Sequence, residues 1–272
     1  MPIVSICRGT KSGGDALAKC LAERLDHPTL GREVVQQAAV EMGVPPEDLG
    51  GMMEDPPGLF GRASILRKVY ISAVQSALAD AAAEGNLVYH GLAGGRLLSS
   101  LRGVLCVRLV APLHMRVQAL RDSHGMDESE AEKYIREVDD SRVRWVRTLY
   151  GEDLHDPTLY DLVLNLGTFS IPEACEIVLA TALRPEFEIN EDRLASLQDF
   201  RTGCRVRTAL LEDIGTQSLD LEATALRGVV EVSGKAPLLP TSEVGNRITE
   251  IARSVPGVEE VRLKIEWFDP YP

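Results

Sequence analysis

The sequence predicts an α/β fold in two parts: a three-layer parallel sheet with helices on both faces, then a small α+β domain of order αββαβ. Three observations predict it. Short, almost wholly apolar strands alternate with helical stretches through the first two thirds of the chain, the pattern of a parallel sheet covered on both faces. A glycine-rich loop joins the first strand to the first helix. Around Arg184–Phe200 the chain turns charged and unpatterned, and the elements beyond follow a different order. The expected boundaries are residues 1–185 for the first domain, 186–199 for a linker and 200–272 for the second domain.

The elements follow in order. Pro2–Cys7 (PIVSIC) reads as a short buried strand that runs into RGTKSGGD. A helix follows with apolar residues at Ala16, Leu17, Cys20, Leu21 and Leu25, the spacing of one helical face. A second helix is expected from Arg32 to Gly43, after which Pro45, Pro46, Pro56, Pro57 and Gly58 break the chain into turns. Ile65–Ala83 is helical again, with small alanine-rich faces. Leu87–His90 (LVYH) and Val104–Val110 (VLCVRLV) are buried strands. Pro112 suits the first turn of a helix. Asp127 and Glu130 form a capping-box start to a long helix reaching Tyr150. Asp161–Leu166 is the last strand, and a helix opened by Pro172 runs to Leu183. Past the linker come a helix (Thr202–Asp213), strands at Leu219–Thr224 and Val229–Ser233, a helix (Ser242–Val255) and a strand (Val261–Trp267).

Composition excludes several classes. A chain of 272 residues suits two domains. No apolar run approaches the roughly 18–20 residues of a membrane span. Arg8 and Lys11 interrupt any signal-peptide core at once. The five cysteines, at positions 7, 20, 106, 175 and 204, form no CxxC pair. Several sit in apolar runs and read as small buried hydrophobes, and a reducing, cytoplasmic setting fits. A net charge of −12 argues against a duplex nucleic-acid binder, which must neutralise phosphates, and leaves room for a local anion site.

The glycine-rich loop is that candidate. Free backbone N–H groups and the positive end of the following helix point at whatever sits in such a loop. Gly9, Gly13 and Gly14 let the chain wrap tightly, and the Ser12 hydroxyl can donate. Against the pattern G-x-x-x-x-G-K followed by Ser or Thr, Gly9 and Gly14 fit, while Asp15 and Ala16 stand at the lysine and hydroxyl positions. Lys11, inside the loop, can supply the missing charge by another route. A glycine-rich turn also serves without any ligand, and Asp15 can equally serve by satisfying the helix dipole.

These residues carry a resemblance. Arg8-Gly9-Thr10-Lys11-Ser12-Gly13-Gly14 resembles the R-x-x-G-S-G-G opening of the cytidylate-kinase-like family, a branch of the P-loop nucleoside-monophosphate kinases. The usual glycine before the serine is Lys11 here. The likeness continues through Val88–Gly94, Arg108–Arg116, Ile135–Arg142 and Tyr160–Asn165, and covers residues 1–185. It implies a P-loop kinase-like sheet with ATP and Mg2+ as cofactors, ATP phosphates on the loop, a nucleoside monophosphate beside the sheet, and an arginine-bearing lid helix. The lid pattern R-D-x-x-D-x-x-R of true cytidylate kinases is represented by Val138, Asp139, Arg142 and Trp145, and the arginine after the second-strand glycine by Leu92.

Phosphoryl transfer needs cations around three phosphates, and the arginine fork suits them. Lys11, Arg116 and Arg142 are the catalytic candidates. Arg8, Gly9, Thr10, Lys11, Ser12, Gly13, Gly14 and Asp15 would bind nucleotide phosphates. Arg32, His90, Gly91, Arg136, Asp139 and Arg144 would bind the acceptor. Each lid arginine can equally serve in an ordinary surface ion pair, and His90 can equally be a satisfied structural group. No clear magnesium-binding acid emerges.

Residues 200–267 resemble a BON domain in element order and in the phrases Val230-Glu-Val-Ser-Gly-Lys235 and Val255-Pro-Gly-Val-Glu-Glu-Val261. The resemblance implies an adaptor module. Glu212, Asp213, Glu259 and Glu260 make it acidic, so an anionic membrane would repel it, and a role in homodimerisation or regulation fits better. The leading expectation is a nucleotide-binding phosphotransferase. The alternative is a catalytically weak nucleotide sensor that signals through the C-terminal module.

Overall fold

The computed structural model describes residues 2–31, 40, 62–91, 94–98, 101–237 and 241–268. The expected helix from Arg32, the prolines that follow it, Leu92 and Arg32 itself lie outside these residues, apart from position 40.

Strand β1 (Ile3–Arg8) is the centre of a five-stranded sheet. It pairs in parallel with β3 (Leu87–His90) on one side and β4 (Val104–Val110) on the other. The two-residue β2 (Thr29–Leu30) and β5 (Leu162–Asn165) form the edges, so the order is β2-β3-β1-β4-β5, parallel throughout. The register sets Ile6 beside His90 and Arg8 beside Leu109. Three strands therefore deliver their carboxyl ends to the loop after β1, where open α/β sheets bind ligands.

The two faces of β1 explain the layers. Val4 and Ile6 point to one side and pack with Leu17 and Leu21 of α1 (Gly14–Leu25) and with Ala174 and Val178 of α6 (Ile171–Ala182). Leu17 and Leu21 lie four apart on one helical face, and both are fully buried. Cutting either to alanine costs about 2–5 kcal/mol. Ile3 and Cys7 point to the other side, toward α2 (Arg62–Ala81), α3 (Gly94–Leu97) and the end of α5 (Glu128–Tyr150). Between them, α4 (Leu113–His124) packs on the first half of α5 through Val117, Leu120, Ala131 and Ile135. The expected capping box is present: the Asp127 side chain accepts from Glu130 N–H while Glu130 reaches back to Asp127 N–H.

The cysteine reading is corrected at one pair. Cys20 of α1 and Cys175 of α6 form a disulfide across 155 residues, whereas Cys7, Cys106 and Cys204 are free. Helix packing brings the pair together, a proximity with no local trace in the sequence.

The second unit has the expected αββαβ order. Helix α7 (Glu191–Glu212), β6 (Asp220–Leu226), β7 (Val229–Pro237), α8 (Thr241–Ser254) and β8 (Glu260–Phe268) build it. Its sheet is mixed: β6 runs antiparallel to β7, and β7 parallel to β8. Helix α7 begins at Glu191, inside the stretch read above as linker, because the Asn190 side chain caps Arg193 N–H at 3.0 Å. Its first half adds Leu197 to the core of the large domain, and its second half adds Val206 and Leu210 to that of the small one. The contact is reinforced by Ser72 and Thr208 hydroxyls 2.9 Å apart and by Lys68 to Asp220 at 2.6 Å. No described helix is long and apolar enough to cross a membrane.

Candidate functional site

The loop from Gly9 to Gly13 stands at the head of the central strand. Gly13 caps α1 with φ +85°, and the side chain of Arg8 runs so close over Gly14 that a Cβ there would sit 2.0 Å from Arg8 Cδ. The Ser12 hydroxyl donates to Gly9 O at 3.0 Å and closes the turn. Thr10 and Ser12 are buried.

Two helices reach the loop. Arg116, one turn into α4, lies across Gly9 and donates from Nε to Thr10 O at 2.7 Å. Its Nη2 also donates to Asp139 of α5. Asp139 in turn accepts from Thr10 N–H at 3.0 Å and from the Thr10 hydroxyl at 2.9 Å. Arg142, one turn further along α5, donates to Thr10 Oγ1 at 3.1 Å. A carboxylate thus accepts from two of the loop's donors, the N–H and the hydroxyl of Thr10. Burial by itself would raise the Asp139 pKa, but the bonds from Thr10 and Arg116 outweigh it and hold this carboxyl below its usual range.

On the other side of the loop stands a second charged group. Arg8 Nη2 pairs with Asp15 at 2.8 Å. His90 Nδ1 lies 3.1 Å from the same carboxylate, at ion-pair distance but out of hydrogen-bond alignment. The His90 ring, then Arg8 and Lys11 against the opposing effect of burial, hold Asp15 below the usual carboxylate range. Gly91 closes β3 by donating its N–H to Ile6 O at 3.1 Å.

Of the residues singled out in the sequence, Arg8, Gly9, Thr10, Ser12, Gly13, Gly14, Asp15, His90, Gly91, Arg116, Asp139 and Arg142 surround one loop. Arg136 instead pairs with Glu132 on the exposed side of α5, and Arg144 is also exposed. Sequence reasoning missed a polar group behind the loop. Arg108 of β4 is buried, donates to Cys7 Sγ at 3.1 Å and stands 5.9 Å from the Tyr160 ring. Ser5, Cys7, Arg96, Cys106 and Tyr160 line a cavity of about 190 Å³ there. The one charge inside the otherwise apolar strand VLCVRLV was the signal for it. Burial pushes the Cys106 thiol up to about 12, so it is no nucleophile at neutral pH.

The model of the cytidylate kinase-like family matches residues 3–168. The chain belongs to that family. Among curated proteins it is similar to the cytidylate kinase of Methanopyrus kandleri, 29% identical over 188 residues that cover 65% of this chain and 90% of the relative. It is also similar to that of Methanoculleus marisnigri, 32% identical over 169 residues, 61% and 86% of the respective chains. A solved structure of an uncharacterized protein from Eubacterium ventriosum shares the fold, with a TM-score of 0.51 at 19% identity over 66% of this chain and 97% of the other.

Family membership covers the kinase-like sheet and ends short of the C-terminal unit, and it makes the departures informative. Lys11 stands where the resemblance expects glycine, and its φ of +55° is the left-handed conformation a glycine would take freely. Trp145, at the last arginine position of the lid pattern, is buried edge-to-face on Tyr70 at 6.3 Å between centroids, so it serves the core. Among the described residues, no group of three or more His, Cys, Asp or Glu is placed to hold a metal. Ala16 offers no hydroxyl at the position a P-loop uses for magnesium.

Proposed function

We propose that the large domain binds a nucleoside triphosphate by its phosphates on the Gly9–Gly14 loop and transfers the terminal phosphoryl group to a nucleoside monophosphate or related small acceptor. One observation carries this reading: a carboxylate already sits on the N–H and hydroxyl of Thr10 in the loop, with Arg116 and Arg142 around it. A site built to hold one anion suits a phosphate oxygen in the same geometry. In the transfer, an acceptor phosphate oxygen bonds to the γ-phosphorus while the bond to the β–γ bridging oxygen breaks, leaving two diphosphates.

Arg116, Arg142 and Lys11 would balance the charge on the transferred group, and Arg8 would flank the phosphates across Gly14. His90 and Gly91, at the end of β3, would face the acceptor together with Asp139 once it leaves the loop. ATP fits the donor set. A Walker-type magnesium site does not fit it, because Ala16 lacks the hydroxyl and Asp15 is engaged by Arg8 and His90. Any magnesium would have to be held by the phosphates, and no step here depends on it. The expected setting is the cytoplasm, where nucleotides are abundant; its reducing poise would open the Cys20–Cys175 bridge.

A second reading has its own support. Asp15 at the usual lysine position places a negative charge beside the loop, which favours a weakly active sensor whose C-terminal module, BON-like in element order, reports nucleotide occupancy. Thermal-shift titration with mono-, di- and triphosphates, with and without magnesium, tests both. A triphosphate at about 100 times its Kd adds roughly 2.7 kcal/mol of stability. Stabilisation with turnover of ATP and one monophosphate supports the kinase, stabilisation without turnover supports the sensor, and no shift with any nucleotide overturns both.

A further inference from the structure

Helices α1 and α6 lie side by side on one face of the sheet, and their seam begins at the glycine loop. At that end Gly13 caps α1 and Ile171 opens α6. A Cβ on Gly13 would sit 2.7 Å from Leu166 Cδ1 and 3.1 Å from Ile171 Cδ1, so the loop is seated directly on the start of α6. Leu17 and Leu21 of α1 pack with Ala174 and Val178 of α6 along the seam. The Cys20–Cys175 bridge crosses it, and Arg24 pairs with Glu176 at the surface beyond. Gly13, Leu17 and Cys20 share one face of α1, and Ile171 and Cys175 are four apart on α6. The covalent link therefore spans the same seam as the loop contact, about two turns of α1 away.

The two sides of the seam are held differently. The start of α6 is pinned by the capping box of Ser170 and Glu173, and Gly167 N–H donates to Asn165 Oδ1 at 2.9 Å just before it. The start of α1 has no side-chain cap, because its N-terminus is the glycine loop. A shift along the seam is thus carried by α1 and the loop, and the bridge is what forbids it.

We propose that Cys20–Cys175 is a reversible redox switch on the anion site of the glycine loop, an inference that rests on the phosphate-binding reading above. Bridged, α1 is fixed to α6 and the loop keeps one shape. Opened, α1 moves on α6 and the loop loosens. A site already in shape loses less freedom on binding, so the bridged form binds phosphates more tightly. The freed thiols pack as small apolar groups, and the fold persists in both states. Cys20 is partly exposed and Cys175 fully buried, so a small dithiol attacks at Cys20. Its thiolate bonds to Cys20 Sγ, the bridge breaks, and Cys175 leaves as a thiolate that takes a proton. The second sulfur of the dithiol then displaces Cys20, which takes the other proton, and the reductant departs as a cyclic disulfide. Small disulfides close the bridge by the reverse exchange. In a reducing setting the open, weaker-binding form is the resting one.

Isothermal titration of the full chain with inorganic tripolyphosphate, with the bridge formed and after reduction by dithiothreitol, tests the coupling. The bridged form should bind about fivefold more tightly. Cys20→Ser should bind with the affinity of the reduced protein and ignore reductant. Linkage demands the converse: tripolyphosphate should shift the equilibrium of the bridge with oxidised and reduced dithiothreitol by the same factor. Amide hydrogen exchange at residues 13–17 reads the loop without ligand and should be slower in the bridged form. Equal or weaker binding by the bridged form, or identical exchange in the two forms, overturns the switch and leaves the phosphate site standing. Binding to neither form overturns the phosphate reading and the switch together.

Discussion

The carboxylate of Asp139 accepts from both the backbone N–H and the hydroxyl of Thr10, at 3.0 and 2.9 Å, across 129 residues of sequence. Helix α5 is thereby latched onto the glycine loop, by a group that carries the same sign of charge as a phosphate. Binding a triphosphate on those donors requires the latch to release.

Asp139→Asn should weaken the latch and remove the like charge. Triphosphate affinity should rise roughly tenfold, equivalent to about 1.4 kcal/mol. Isothermal titration with ATP and with inorganic tripolyphosphate checks it. Unchanged or weaker binding of both would show that Asp139 does not compete with phosphate.

The same carboxylate sets a pH dependence. Its folded-state pKa lies below the unfolded value, so its stabilising contribution is present above about pH 4 and lost as pH falls through the folded pKa. Asp15 acts with the same sign. Melting temperature should fall between about pH 4.5 and pH 3 in the wild type and less steeply in Asp139→Asn. Equal slopes would remove Asp139 from the acid sensitivity.

Lys11 holds a left-handed backbone that costs an L-residue about 1–2 kcal/mol. Glycine relieves that strain and gives back about 0.5–1 kcal/mol through the entropy of the unfolded chain. Lys11→Gly should therefore stabilise the protein by roughly 0.5–1 kcal/mol in urea unfolding. If Lys11 supplies charge to the transferred phosphate, turnover should fall in that more stable variant. A gain in stability with unchanged kinetics leaves Lys11 a structural oddity.

Reducing the Cys20–Cys175 bridge should lower stability by about 2–4 kcal/mol, since the bond closes a long loop in the unfolded chain. Urea unfolding with and without dithiothreitol measures this, with Cys20→Ser as the control that should not respond to reductant. A wild type insensitive to reductant would show that the bridge is not formed in solution.

Much of the fold was legible. Val104–Val110 and Leu87–His90 are strands over the predicted residues, because short, mostly apolar runs bounded by glycine or proline leave few alternatives. The capping box at Asp127 located the start of α5 by its own chemistry. Strand β2 was not foreseen, since two residues carry no periodicity. Helix α7 was expected from Thr202 and begins at Glu191, because its charged first turns show too thin an apolar stripe until Leu197 meets the large domain's core.

The site divides the same way. By itself the sequence determined the glycine loop, its place after a buried first strand, and the arginines available to it, because each is written in neighbouring residues. Only the tertiary structure decided that Asp139 rests on Thr10 while Arg136 faces outward from the same helix. It alone joined Cys20 to Cys175 and buried Trp145 against Tyr70. Periodicity says which face of an element is apolar, but not which element that face will meet. That choice is made by the packing of crossover helices on a twisted sheet, over separations at which local sequence carries no information.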